Sequence, residues 1–498
     1  MKRIFLAFLV WIAATVAALA VVRPHALFTD NAVLQQGERI TVWGTAGNFE
    51  DVTVIFGDQK RVTTARDRQR RVTLSPMRAS AVPRTMIIKG ENTVEIKNVV
   101  VGEVWVASGQ SNMQWPLTQT ANGTQHIAAA SDPHLRLFTV PRVTADTPQR
   151  DVEGSWQVCT PETVANFSAV AYFFGRDLRR ARNVPVGLIH SSWGGTPAEA
   201  WTAKEVLEAY PMFKRQIEEW ELKIAKHDPA KMEERNRQAL LRHKEAVARA
   251  KAEGRPVPPA PRLETDPAKS PHRPSVLYNA MIHPLLPFAI RGVIWYQGES
   301  NNARAREYRT LFPAMIRCWR ERWKLGQFPF LFVQIAPHQN MTPELREAQF
   351  LTAQRVPNTA MVVITDYGDP TDIHPRQKEP VGARLALAAR ALAYGEPVEY
   401  SGPVYRGFRV RGNEIVLSFG HVGGGLEARG GSLRGFTIAG ADKNFVPATA
   451  RIEGNRVVVS NPAVVRPVAV RYGWENVPDV NLYNKAGLPA SPFRTDVD

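Results

Sequence analysis

The sequence predicts an α/β protein: a doubly wound parallel sheet with a smaller β domain at each end of the chain. Three observations predict it. Five strand-like apolar runs after Val101 alternate with amphipathic helical runs, the pattern of parallel strands joined by right-handed crossovers. Short alternating runs broken by Gly, Asn, Asp and Pro fill residues 21–100, and again 399–498. The composition, 44% hydrophobic and 22% charged over 498 residues, is that of a globular chain long enough for two or three domains.

The elements follow in order. Residues 1–20 read as a secretory signal peptide. Lys2 and Arg3 form a positive start, Ile4 to Ala17 an apolar stretch, and Ala18-Leu19-Ala20 a small-x-small cleavage site. No later apolar run is long enough to span a bilayer, so the sequence predicts an exported protein, periplasmic or extracellular, with no membrane span after cleavage. Residues 21–100 predict a small β-sandwich, carried by ITVWGTA, VTVIFG and TMIIKGENTVEIKNV. Residues 101–398 predict the α/β domain. Its strands are VGEVWVAS, VPVGLIHSS, RGVIWYQ, FPFLFVQIA and TAMVVIT; its helices include SAVAYFFGRDLRRAR, ARAREYRTLFPAMIRCWRERW and PVGARLALAARALAYG.

One insertion interrupts that domain at residues 203–274. Ala203 to Gly254 is dense in Lys, Arg, Glu and Ala and reads as two charged helices broken near Asp228-Pro229. A proline-rich connector follows, expected to be extended and mobile. Residues 399–498 predict a second β domain, from FRVRGNEIVLSF, GFTIAG, ARIEGNRVVVSN and VAVRYGW.

Charge and cysteine content exclude several classes. The net charge is +16, but Lys and Arg are interleaved with acids, and no basic module with alternating aromatics is present. Nucleic-acid binding is therefore set aside. The two cysteines, Cys159 and Cys318, form no disulfide framework. Zinc-ligand spacing, a phosphate-binding glycine loop and a dinucleotide fingerprint are all missing from the sequence.

The chemistry-bearing residues gather where strands end. In a doubly wound sheet that is where sites lie. The clusters are Gly109-Gln110-Ser111-Asn112, Ser191-Ser192-Trp193-Gly194-Gly195-Thr196, Gln297-Gly298-Glu299-Ser300-Asn301, and the loop Asp366 to Pro375 that contains Asp369, Asp372 and His374. Serine hydrolysis needs these parts. A hydroxyl becomes nucleophilic when a histidine takes its proton, a carboxylate or carbonyl fixes the histidine tautomer, and waiting N–H donors hold the oxyanion. Trp115, Trp193 and Trp295 are assigned to the core by default, His190 and His283 to structure, and His338 to the rim of the site.

The order Ser, Gly, Asn/Gln, then late Asp and His resembles the SGNH (GDSL-like) hydrolases. GQSNM, SSWGGTPAEAW, LYNAMIHPLLPF, WYQGESN and DIHPRQK more closely resemble the sialate O-acetylesterase family, related to the acetylxylan esterases. The resemblance runs from about Ala26 to the end and is poorest in the charged arm. It implies an SGNH-type three-layer α/β/α sandwich and a carbohydrate O-acetylesterase acting on an O-acetylated sugar through a serine acyl-enzyme, without metal or cofactor. It implies Ser111 as nucleophile and His374 as base, with Asp372, Asp369, Asp366 or a backbone carbonyl orienting the imidazole, Asp372 being preferred. Oxyanion donors would be the N–H groups of Ser111 and of Gly194 or Gly195, with a side chain from Gln297 or Asn301. Gln110, Asn112 and Glu299 are expected to bind substrate. The rival readings are an acetylxylan or other polysaccharide acetylesterase, and a non-catalytic carbohydrate-binding protein on the same fold.

Overall fold

The computed structural model describes residues 21–67 and 69–496. The segment read as a signal peptide, residues 1–20, lies outside them. The core is a parallel sheet of six strands: β1 (Thr93–Gly109), β2 (Asp132–Thr139), β3 (Val186–Ser192), β4 (Gly292–Tyr296), β5 (Phe330–Val333) and β6 (Thr359–Val362). Their order across the sheet is β2-β3-β1-β4-β5-β6. The crossovers therefore reverse direction beside β1, and a crevice opens at its carboxyl end.

Five of these strands are the five apolar runs. The sixth, β2, is hidden in the sequence because Arg136 stands at its centre. That arginine is buried and bonds Asn31 and Asn98, so a position that reads as solvent-facing lies inside.

Helices α1 (Ser111–Gln114), α2 (Ala169–Arg182), α3 (Pro211–Ala225), α4 (Pro229–Ala252), α5 (Ala305–Trp323), α6 (Pro343–Arg355) and α7 (Glu379–Tyr394) follow in chain order, and α2, α5, α6 and α7 frame the sheet. Strand side chains alternate between faces. Trp105, Ala107, Leu188, Ile294 and Leu331 pack with α2 and α7; Val106, Ile189, Val293, Trp295 and Phe330 pack with α5 and α6. The result is a three-layer α/β/α sandwich. Among the described residues no helix is long and apolar enough to cross a membrane.

The amino-terminal β structure is not separate from this sheet. β1 runs unbroken through residues 100 and 101, pairing first with Val33–Gln35 and Ser80–Lys89 and then with β3 and β4. A boundary drawn at 100/101 falls inside one 17-residue strand, which couples the β layer mechanically to the strand end that carries the site. The carboxyl-terminal sheets have their own core, including Ile415, Leu417, Ile438, Val457 and Val470. Gln334, just beyond β5, donates to Ser491 Oγ at 2.9 Å and ties them to the sandwich.

The charged arm forms α3 and α4. Asp228 caps α4 by accepting from Lys231 N at 3.1 Å, with Pro229 at its first turn. The proline-rich connector is laced to α4 rather than loose. Glu264 takes a two-pronged bond from Arg235 at 2.9 and 2.8 Å, and its backbone exchanges bonds with Asn236. Cys159 and Cys318 are buried, unpaired thiols, pushed up by burial to about 12 and about 11.

Candidate active site

At the end of β1 the backbone dictates the sequence. Gly109 has φ +137°, and a Cβ there would lie 2.2 Å from the carbonyl oxygen of Tyr296 on β4. Only glycine fits such an approach. Gln110 N then donates to the same Tyr296 oxygen at 3.0 Å, and α1 starts at once. Ser111 is therefore the first helical residue, half-exposed at the crevice, while Asn112 and Met113 turn inward and are fully buried.

The loop after β6 reaches back over this point. His374 Nε2 lies 2.8 Å from Ser111 Oγ, although the two residues are 263 positions apart. Trp115 stacks on the imidazole, with ring centres 4.9 Å apart and planes at 20°. Trp115 thus belongs to the site rather than to the core. The carboxylate of Asp372 stands 3.6 Å from His374 Nδ1, and its Oδ1 also accepts from His374 N at 2.9 Å. The other two acids are engaged elsewhere. Asp369 Oδ1 accepts from Thr371 and Asp372 and shapes the turn. Asp366 is clamped in a two-pronged pair with Arg384.

Gly194, beyond β3, faces Ser111 directly: a Cβ there would meet Ser111 Cβ at 3.2 Å. Its N–H donates to Gln114 Oε1 at 2.7 Å. Gln114 was not among the sequence candidates, although it lies in GQSNMQ, one helical turn after Ser111. Gly195 is exposed with φ +75°.

The QGESN block is placed differently from the expectation that it lends an oxyanion donor. Gln297 is fully buried. Its amide donates to Asn301 Oδ1 at 2.7 Å and Thr196 O at 3.3 Å, and its Oε1 accepts from Tyr308. Asn301 is equally buried; it donates to Glu199 and accepts from Ala198 N. A buried amide must satisfy its own donors: Gln297 spends its on Asn301 and on Thr196 O in the turn after β3, and Asn301 spends its on Glu199 just beyond that turn.

Gln110, Asn112 and Glu299, expected to bind substrate, are buried too. Gln110 Oε1 accepts from Gly298 N and Ser300 N. Asn112 is a three-way clamp. Its Nδ2 donates to Glu299 Oε1 at 2.7 Å and to Ile373 O at 3.0 Å, and its Oδ1 accepts from Lys378 Nζ at 2.5 Å. The residue after Ser111 thereby holds the residue before His374. These three side chains position the site and do not line it.

Lys378 is a residue of the candidate site that sequence reasoning missed. It stands four positions after His374 in DIHPRQK, and that spacing was the available signal. It is buried between the rings of Tyr296 and Trp115, and burial brings its ammonium down to about 7, against the upward pull of Glu299. Burial also raises the Glu299 carboxyl. His374 is held below the ordinary histidine value, first by desolvation and then by the Lys378 charge, with Asp372 pulling the other way. A lowered value keeps the imidazole neutral, the form that accepts a proton, to lower pH. The acid limb of kcat/KM is therefore expected below pH 6.5. In Lys378→Met the repelling charge is gone and the limb should move to higher pH, as a pH–rate profile of the two proteins will show.

A second serine–histidine pair, Ser192 Oγ and His190 Nε2 at 2.5 Å, is buried within the end of β3, and burial drives His190 down to about 4. It is structural, as is His283, which bonds Gln149 O. His338 is buried at the end of the β5 extension and its Nδ1 accepts from Asn340 N. Among the described residues no group of three or more His, Cys, Asp or Glu gathers as a metal site.

A serine–histidine pair at the switch point of a three-layer sandwich, faced by a glycine turn, defines a carboxylic-ester hydrolase of SGNH type. Comparison with known proteins agrees. Residues 270–391 match the family model for carbohydrate esterase, sialic acid-specific acetylesterase. The chain is 31% identical to the sialate O-acetylesterase of Rattus norvegicus, over 94% of this chain and 93% of that one. It is 29% identical to the Homo sapiens enzyme, over 93% and 90%. A crystal structure of a carbohydrate acetylesterase from Xanthomonas citri superposes with a TM-score of 0.82 at 39% identity, covering 96% of this chain and 100% of that one. The chain belongs to the sialate O-acetylesterase family of carbohydrate esterases.

Proposed function

We propose that this protein is an exported carbohydrate O-acetylesterase that removes acetyl groups from sugar hydroxyls, sialic acids among them, through an acyl-enzyme on Ser111. The observation that carries the mechanism is the 2.8 Å contact between Ser111 Oγ and His374 Nε2. His374 takes the hydroxyl proton as Ser111 attacks the acetyl carbonyl. The proton then passes to the departing sugar oxygen. Water, deprotonated by the same imidazole, attacks the acyl-serine and releases acetate. The N–H of Ser111, at the open first turn of α1, and those of Gly194 and Gly195 are the donors proposed for the oxyanion. For Gly194 to serve, its bond to Gln114 must give way to the incoming oxygen.

Asp372 is proposed to orient His374. Its side chain is 52% exposed and its contact with Nδ1 is long at 3.6 Å, so water competes for both groups. Asp372→Ala is expected to lower kcat by only about 10–100-fold, far less than the roughly 10⁴-fold loss typical of a buried triad acid. Steady-state kinetics of the variant measure the difference.

Turnover is tested by acetate release from p-nitrophenyl acetate and from O-acetylated sialic acid, with mass spectrometry of quenched enzyme to find an acetyl group on Ser111. No turnover of either ester by the wild-type protein would sink the proposal. Export rests on the signal-like residues 1–20. Amino-terminal sequencing of protein from the periplasm or medium should start at Val21.

A further inference from the structure

We propose that the charged arm supplies the subsite for the sugar ring of the ester, with Trp220 as its stacking surface. The inference rests on the esterase reading above and assigns a binding role to a segment the sequence marks only as solvated helices.

A cavity of about 260 Å³ lies between the turn at Gly195 and α3 of the arm. Its inner wall is Gly195 and Ser300, each one step from the site: Gly195 follows the glycine that touches Ser111, and Ser300 N donates to Gln110. Its outer wall is Gln216 and Trp220 from α3, and His272 from the end of the connector. The helical period explains the delivery. Phe213, Gln216, Ile217 and Trp220 are spaced i, i+3, i+4 and i+7 and share one face of α3. Phe213 and Ile217 are buried and anchor that face. Gln216 donates to Glu307 Oε2 at 2.9 Å, fixing the helix to α5. Trp220 is left half-buried in the cavity wall.

The lining suits a sugar. An aromatic ring takes the apolar face of a pyranose, while hydroxyls need donors and acceptors around the rim. Lys223 packs over one face of the Trp220 ring at 4.7 Å, and the other face is the one a sugar would use. Arg304 also enters the cavity, but paired with Glu199 and Glu307. Its charge is already balanced, so it offers N–H groups to hydroxyls more than a free cation to an anion. The acetyl group would lie at Ser111, with the sugar that bears it extending past the edge of the Gly194-Gly195 turn toward the arm cavity.

The test compares wild type, Trp220→Ala and Trp220→Phe on p-nitrophenyl acetate, O-acetylated sialic acid and acetylated xylo-oligosaccharide. The phenyl ester has no sugar to place, so its kcat/KM should stay within twofold in all three proteins. On the sugar ester that wild type prefers, kcat/KM should fall about tenfold in Trp220→Ala, chiefly through KM, and recover largely in Trp220→Phe. An equal fall on the phenyl ester would make Trp220 merely structural, and an unchanged sugar-ester rate would remove the subsite; either overturns the proposal. A failure of the esterase reading is distinguishable, because wild type would then turn over nothing. In that case calorimetric titration of Ser111→Ala, with and without Trp220→Ala, by the same acetylated sugars still decides the subsite. Binding lost only in the double variant supports it, and binding unaffected by Trp220→Ala overturns it.

Discussion

Ser111→Ala and His374→Ala are each expected to lower kcat on acetyl esters by about 10⁴–10⁶-fold, and the double variant to be hardly worse than either. The two groups act as a unit: without the hydroxyl nothing is acylated, and without the imidazole the hydroxyl keeps its proton. Removing the second member of such a pair costs little more than removing the first. The folded state should barely notice. Both side chains are partly exposed, and their mutual contact at 2.8 Å is worth about 1 kcal/mol net. Acetate release and thermal melting, measured on the same preparations, check both halves. A single variant retaining a tenth of wild-type turnover would remove the serine mechanism.

Asn112→Ala has the second-largest expected effect, and it falls on both activity and stability. The truncation strips one bond each from Glu299, Lys378 and the Ile373 carbonyl, all in a buried place. Leaving such groups unpaired costs roughly 2–4 kcal/mol. The Ile373 bond also sets where His374 stands, and a misplacement near 1 Å can cost about 100-fold in rate. A melt shifted downward together with kcat lower by about two orders of magnitude is the expected pair of results. Asn112→Asp is the informative companion. It keeps an acceptor for Lys378 but loses the donor to Ile373 O and sets a second carboxylate beside Glu299. It should therefore lose activity as Asn112→Ala does. Wild-type kcat in either variant would mean that the clamp does not position the base.

Much of the site was legible because its parts sit at chain positions that a doubly wound sheet must bring together. Ser111, Gly194-Gly195 and the Asp372-Ile373-His374 segment each follow an apolar run, and parallel strands put all such ends on one edge. What was not legible is which polar side chains at that edge face the crevice and which face inward. Gln297 and Asn301 look like donors in sequence. In space they spend their hydrogens on Thr196, Asn301 and Glu199, because buried amides cannot wait unbonded for a ligand. Asn112 and Glu299 look like substrate contacts and are instead buried and bonded to each other, with Asn112 also holding the Ile373 carbonyl beside His374.

By itself, then, the sequence determined the three-layer sandwich, the flanking β regions, and the residue types of an ester hydrolase at strand ends. Periodicity and glycine placement are local, and they suffice for that. Only the tertiary structure decided that one strand is shared between the first β layer and the central sheet, that Arg136 is interior, that Lys378 is buried beside Asn112 and Trp115, and that the arm brings Trp220 to a cavity shared with Gly195. Each depends on contacts between residues far apart in the chain. Their energy comes from what surrounds a group, and no spacing along a sequence encodes that.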